Sequence, residues 1–421
     1  MVEFSLTEEQ LAIQKTARDF AEREIKPVAA EIDRIADPKE TWARVWDIYV
    51  KANKLGFNKI LIPQQYGGLG LTELDACLVI EELSVVDGGI GTSYFVHNSQ
   101  TRMLDDMGTE EQKQEFFTAC CHDPEDHYFF AHANTEHGVA GDLGPREYGA
   151  GKVAAGKLTP LDFATRKPIP EAQQREMITF AKRDGDTWVI NGMKRFIVFG
   201  RQAKLYMVTA RTNPAEADGV ASSGFLVPAG TPGLSFGHIE DKMGHRLTEN
   251  AEVILEDVRV PDKWRCNWMR SIAKRGMTLN TLAAAVAVGI ARRAFEEAIA
   301  YAQTRYKGGC LIIFHQAVQR MLVDMAINIK TARLLTWQSA WQNEKGNEPS
   351  PLANMAKVYA ADAAVDTANK GMQVFGGYGY MRDFPLEKLV RDARVMPIYD
   401  ASNEMLRHGM IIQAITMEGT A

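Results

Sequence analysis

The chain is poor in cysteine. It has five in 421 residues, Cys77, Cys120, Cys121, Cys266 and Cys310, and none forms a CxxC pair. An odd count without a framework points to a reducing compartment rather than a disulfide-stapled secreted fold. The only cluster, Cys120-Cys121-His122 with His127, has no second ligand pair at zinc-site spacing, so no metal is expected. No apolar run approaches the ~18 residues of a membrane span. The opening MVEFSLTEEQ lacks a charged region followed by an apolar stretch, so neither a signal peptide nor a membrane span is expected and the location reads as cytoplasmic. Long basic runs are missing too, and the net charge is −6, which excludes the electrostatic footprint of a nucleic-acid binder. There is no internal repeat and no GxGxxG behind a strand.

What is present is ordinary globular composition, 46% hydrophobic and 24% charged, enough for two or three domains with their own cores. Residues 5–35 read as a helix: SLTEEQ supplies a cap and early acids, and Leu11, Ile13, Ala17, Phe20, Ala21 and Ile25 recur at helical spacing. The helical texture lasts to about 127, broken by the glycine-rich turn PQQYGGLG. From 128 the texture is that of strands. DTWVING reads as a strand entering an Asn-Gly hairpin turn, and LYMVTA and EVILEDV read as further strands. From 263 the chain is helical again; TLAAAVAVGIA is small and apolar all round, as a buried core helix requires. The expected fold is mainly α with a central β domain: an all-α domain over 1–127, a β domain over 128–262 and a helical domain over 263–421. Segregation of helices from strands argues against a βαβ sheet. Residues 143–175, rich in Gly, Pro and charge, fit neither texture and read as an insertion.

One short stretch carries chemistry. PIYDASNEMLR places a single acid, Asp400, where an apolar run meets an amphipathic helix. From the residues alone, Asp400 or Ser402 can be a helix cap.

The order of zones, together with several motifs, resembles the acyl-CoA dehydrogenase flavoprotein family over nearly the whole chain. LTEEQ and IPQQYGGLGL match its opening. FAHANTEHG is similar to its first flavin strand, usually ending TEPxxGSD, and INGMKRFIVFG to the second, usually INGxKxWITNG. MGHRLTE, TRYKGG, FHQAVQRML, MQVFGGYGY and VRDARVMPIYDASNEMLR follow in family order. The resemblance implies an N-terminal helical domain, a β-barrel-like middle domain and a C-terminal four-helix bundle, assembled as a homotetramer. It implies FAD bound without a covalent link, an acyl-CoA substrate and an electron-transfer flavoprotein as partner. It also implies proton abstraction by a carboxylate, usually the glutamate of a YEGT motif. Asp400 stands at that position, and the helix MTLNTLAAAV, which carries the base in some branches, offers no acid.

Aspartate is one methylene shorter. It resembles two minority branches: dehydrogenases of cyclohexane- or cyclohexene-carboxyl thioesters, and the nitroalkane oxidases, which use no CoA. By the same resemblance Thr135, Phe196 and Val198 face the flavin ring, with Phe196 in place of Trp and Val198 in place of a hydroxyl residue. Arg305, Gln316, Gln373, Gly376 and Gly377 serve the FAD of a neighbouring subunit, although Gly308-Gly309 replace the usual aromatic and glycine after Arg305. Ser402 and Glu404 also contact FAD. His97, His137, Gly141, Arg246 and Arg407 fall at substrate-side positions; His137 replaces a proline, Gly141 replaces a serine, and Arg246 reads equally as a salt-bridge residue.

Overall fold

A computed structural model describes residues 5–136, 178–212, 222–266, 278–345 and 351–411. Helix α1 (Glu8–Phe20) starts at a capping box: Thr7 Oγ1 accepts from the Gln10 N–H at 3.1 Å, and Gln10 Oε1 accepts from the Thr7 N–H at 3.1 Å. Helices α2 (Lys26–Asp33), α3 (Pro38–Lys54), α4 (Glu73–Val86), α5 (Gly88–Met107) and α6 (Glu110–Cys121) complete the first helical layer. After the sheet come α7 (Thr278–Thr304), α8 (Gln316–Glu344), α9 (Leu352–Phe375) and α10 (Leu386–Val395). The run Leu282–Ala291 on α7 is buried throughout, as its apolar faces require. Two buried carboxylates lock this core across helices: Glu82 of α4 meets Arg18 of α1 at 2.6 Å and Arg292 of α7 at 2.8 Å, and Glu81 meets Arg333 of α8 at 2.7 Å. No helix among the described residues is long and apolar enough to cross a membrane.

Between the helical parts lie β1 (Phe130–Ala133), β2 (Phe180–Asp184), β3 (Thr187–Val198), β4 (Leu205–Arg211), β5 (Ser222–Pro228), β6 (Leu234–Ile239), β7 (Asn250–Pro261) and β8 (Arg265–Cys266). They form one sheet in the order β6-β7-β3-β2-β4-β5-β8, with β1 beside β4. Among the described residues its edges do not meet, so the barrel-like middle part expected from sequence is an open sheet. Pairing is antiparallel except for β1–β4 and β2–β4, and no helix intervenes between those parallel partners among the described residues.

The Asn-Gly signal misplaces the hairpin. Strand β3 runs straight through Asn191-Gly192, and the reversal falls at Gly185, where φ is 61°. Asn191 instead uses its amide across the sheet: Nδ2 donates to Asp257 Oδ1 at 3.0 Å and Oδ1 accepts from the Asp257 N–H at 2.9 Å. Gly192 permits a close strand approach, since a Cβ there would lie 2.6 Å from Thr179 Cα. The insertion at 143–175 lies outside the described residues.

Candidate functional site

Asp400 lies on a sharp turn between α10 and a short helix at Asn403–Met405. Both Asp400 (φ 52°) and Ala401 (φ 67°) are in the left-handed region. Such conformations cost non-glycine residues about 1–3 kcal/mol each, less for Asp than for Ala, and persist only where the surroundings enforce them. Here the Ala401 methyl packs with Val358 and Leu406. Ser402 is the helix cap, its Oγ accepting from the Met405 N–H at 3.2 Å. Asp400 is therefore not the cap. Its Oδ2 is enclosed and has no hydrogen-bond partner among the described residues. Burial pushes the carboxyl up to about 6, against the opposing pull of the Lys357 ammonium.

The turn is pinned on both sides. Before it, the Tyr399 hydroxyl meets the Thr92 hydroxyl of α5 at 3.2 Å, and its ring packs edge-on to Phe95 and His245. Thr92 Oγ1 also lies 3.1 Å from His245 Nδ1, and the His245 N–H donates to Asp392 Oδ1 at 2.7 Å. After the turn, the buried Lys357 of α9 donates to the Ala401 carbonyl at 2.7 Å and to Asn403 Oδ1 at 3.0 Å.

The segment from His245 to Asn250 links this turn to β3. Asn250 donates through Nδ2 to the Phe196 carbonyl at 2.7 Å, inside a bulge of the β3–β7 ladder. Phe196 has φ 62° and is 53% exposed, with the Arg195 guanidinium 5.0 Å from its ring centroid. The bulge holds this large apolar ring outward on left-handed backbone, a strain that persists only where the surroundings enforce it. Val198 packs partly into the core two residues on. Thr135 is half-buried, and its carbonyl accepts from the Arg195 N–H at 2.8 Å, so β1 and the bulge are tied together. Below them a buried ion pair, Lys194 to Glu136 at 2.8 Å, fixes the end of β1; Glu136 also accepts from the Thr179 hydroxyl and the Ile178 N–H.

A second group gathers at one end of the helical bundle. The Arg305 guanidinium stands 5.1 Å from the Tyr378 ring centroid, next to Gly376-Gly377, and the Arg305 carbonyl accepts from the Ile312 N–H at 2.9 Å. Gln316 opens α8 and Gln373 precedes Gly376 by three residues; both are exposed. Gly376 has φ 60° and ψ −137°, and a Cβ added at Gly376 or Gly377 would meet nothing within 4 Å. Gly308 and Gly309, both at positive φ, form the tight turn of a small hairpin, and the Tyr306 hydroxyl donates to the Gly309 carbonyl at 2.8 Å.

Three chosen residues are committed elsewhere. His97 is fully buried: Nε2 donates to the Asn58 carbonyl at 2.7 Å, and Nδ1 accepts from the Phe130 N–H at 3.0 Å. It splices α5 to β1 and has no free nitrogen for a substrate, which corrects the sequence expectation. Arg246 bonds Asp241 at 2.6 Å and the Ile35 carbonyl at 2.7 Å, the salt-bridge alternative of the sequence reading. Arg407 pairs with Asp362 on α9. Glu404 is exposed beside the Asp400 turn. His137 and Gly141 lie outside the described residues.

Three sequence models of one family match the chain: acyl-CoA dehydrogenase N-terminal domain over residues 7–123, middle domain over 171–258 and C-terminal domain over 271–415. The short-chain-specific acyl-CoA dehydrogenase of Clostridium acetobutylicum is 33% identical over 415 residues, covering 96% of this chain and 97% of that protein. The chain belongs to the acyl-CoA dehydrogenase family. Among solved structures, butyryl-CoA dehydrogenase from Megasphaera elsdenii superposes with a TM-score of 0.82 at 26% identity, covering 99% of both chains. A chain from the structure of the electron transferring flavoprotein of Acidaminococcus fermentans does so with a TM-score of 0.82 at 32% identity, again over 99% of both.

As an acyl-CoA dehydrogenase, the protein uses FAD. The residues present suit that group. Phe196 offers a flat apolar face, Gly376-Gly377 leave open backbone, and Arg305 offers a planar cation for a diphosphate. The sequence reading missed Lys357, the buried cation behind Asp400. The signal available was its place on the alanine face of α9, shared with Ala353, Ala360, Ala361 and Ala364, where a solvated lysine does not belong.

Proposed function

We propose that the enzyme removes the α proton of a cyclic or branched acyl-CoA thioester with Asp400 as the base. The observation that carries this reading is the enclosed, partnerless Oδ2 of Asp400 on a strained turn, its carboxyl held at about 6 by burial. A base poised near neutral pH is ionised at pH 7 yet still basic enough to accept a carbon-bound proton. No backbone carbonyl among the described residues accepts from the Asp400 N–H, which leaves it able to donate to the thioester oxygen as enolate charge develops. FAD, when bound, would supply the acceptor for the hydride that leaves the β carbon. Thr135, Phe196, Val198, Ser402 and Glu404 would hold it, and Arg305, Gln316, Gln373, Gly376 and Gly377 would hold the FAD of a neighbouring copy. The short carboxylate sits roughly 1.5 Å further back than glutamate would, which makes room for a bulky acyl group.

The assembly is a homotetramer in this reading. An exposed apolar row on α8, Val323, Ile327, Leu334 and Trp341, supports association, since such a row is unusual on a monomer. An electron-transfer flavoprotein is the acceptor, as the similarity to the Acidaminococcus fermentans chain suggests. The test is an anaerobic titration of the flavin with straight-chain, branched and cyclohexane-carboxyl CoA thioesters and with nitroalkanes. Bleaching by cyclic or branched thioesters is the expected result. Bleaching by nitroalkanes alone would place the enzyme with the carbon-acid oxidases.

A further inference from the structure

Lys357 is a lysine with no exposed surface on a helix face that is mostly alanine (Ala353, Ala360, Ala361 and Ala364). A methionine would fill the same space without burying a charge. What the ammonium adds is specific to the turn it faces. It donates to the carbonyl of Ala401, the second left-handed residue, at 2.7 Å. It also donates to Asn403 Oδ1 at 3.0 Å, and Asn403 is itself held to α9, donating to the Val358 carbonyl at 3.2 Å and to Asp362 Oδ1 at 2.8 Å. The charged groups facing Lys357 are Asp400, Glu404 and Arg407 from the turn and the helix after it, and Asp362 from its own helix. Those facing Asp400 are Lys357 and, neutral but titratable, Tyr399.

We propose that Lys357 is a positioning residue for the reaction: its ammonium clamps the Ala401 carbonyl, so holding the strained turn that aims the Asp400 carboxylate, and its charge keeps that carboxylate ionised. This rests on the reading of Asp400 as the base. Burial pulls Lys357 down to about 8 while Asp400 is pushed up to about 6, so the pair is doubly charged over a window between the two. Below it the base is protonated. Above it the clamp loses its charge.

The experiment compares Lys357→Met, Lys357→Gln and Asp400→Asn in the flavin-loaded protein. It reads anaerobic flavin reduction by cyclohexane-carboxyl-CoA against pH, and the carboxyl resonance of Asp400 in ¹³C-aspartate-labelled protein, identified by its loss in Asp400→Asn. In Lys357→Met the Asp400 midpoint is expected to rise by about one pH unit, because an opposing cation is gone. Reduction at pH 7 is expected to fall by about 10²-fold, the usual effect of a displaced catalytic group. Lys357→Gln, a neutral donor, recovers part of the rate but leaves the midpoint raised. In the parent protein the Asp400 resonance is expected to show a second inflection near 8 as Lys357 loses its proton, a test that does not depend on any variant folding. An unmoved midpoint and rate in Lys357→Met, beside an inactive Asp400→Asn, would overturn the inference alone; so would a single inflection in the parent. Full activity in Asp400→Asn would overturn both the base and the inference.

Discussion

The Tyr399 hydroxyl lies 3.2 Å from the Thr92 hydroxyl, and this contact ties the residue before Asp400 to helix α5. Tyr399→Phe removes it, together with a 3.4 Å contact to the Met396 sulfur. The loss of one buried hydrogen bond lowers stability by about 1 kcal/mol. Because the turn it holds is strained, the larger effect is expected on kcat, with KM moving less. Urea unfolding of Tyr399→Phe, Thr92→Val and the double variant measures the coupling, expected at about 0.5–1.5 kcal/mol. Strictly additive losses would mean the hydroxyls are independent.

Three histidines make the fold acid-sensitive. His97, His132 and His245 are each pulled by burial from the ordinary 6.5 to about 4. A depressed folded-state value means the neutral ring is what the fold favours. That stability is fully present above about 6.5 and is lost as pH falls through about 4. Each histidine is worth on the order of 3 kcal/mol over that window. His97→Gln should flatten the stability curve between these limits by one proton, while flavin reduction follows the parent pH profile. Guanidinium unfolding from pH 4 to 8 measures it.

Asp400 has the opposite sign. Its raised value means the neutral form is favoured by the fold, so its contribution is present at low pH and lost as pH rises through about 6. Asp400→Asn should therefore be more stable than the parent at pH 8, by on the order of 3 kcal/mol, and indistinguishable from it at the acid end. Thermal unfolding at several pH values checks this.

The two glycines beside Arg305 are expected to separate folding from cofactor binding. Gly376 occupies φ 60°, ψ −137°, where side chains are strained, and Gly376→Ala should cost about 1–3 kcal/mol. Gly377 has no positive φ and open space around its Cα, so Gly377→Ala should fold like the parent while binding FAD more weakly. Unfolding curves and flavin content of the purified variants tell the two apart.

How much of this was legible in the sequence depends on where each residue gets its role. The helix at Glu8–Phe20 follows from LTEEQ because a capping box is local. Asp400, Phe196 and Arg305 are found by motif position. The bulge that turns Phe196 outward is invisible in RFIVFG, which reads as plain strand, because pairing with β7 imposes it. Asn191-Gly192 misled because its local preference for a turn is overridden by the Asn191–Asp257 bridge across the sheet. His97 shows the same limit. By resemblance it falls at a substrate-side position, and only the fold reveals that two backbone groups already use both nitrogens.

The most direct test of Asp400 as the base is stopped-flow reduction of the flavin by a cyclohexane-carboxyl thioester in Asp400→Asn and Asp400→Glu. The Asn variant should keep its flavin and bind the thioester, while reduction falls by about 10²–10⁴-fold. If the proposed bulky acyl group sets the space beside residue 400, the Glu variant should also reduce more slowly with this substrate, because the longer acid takes up that space, and should gain relative activity toward butyryl-CoA. Reduction of the Asn variant at the parent rate would contradict the account.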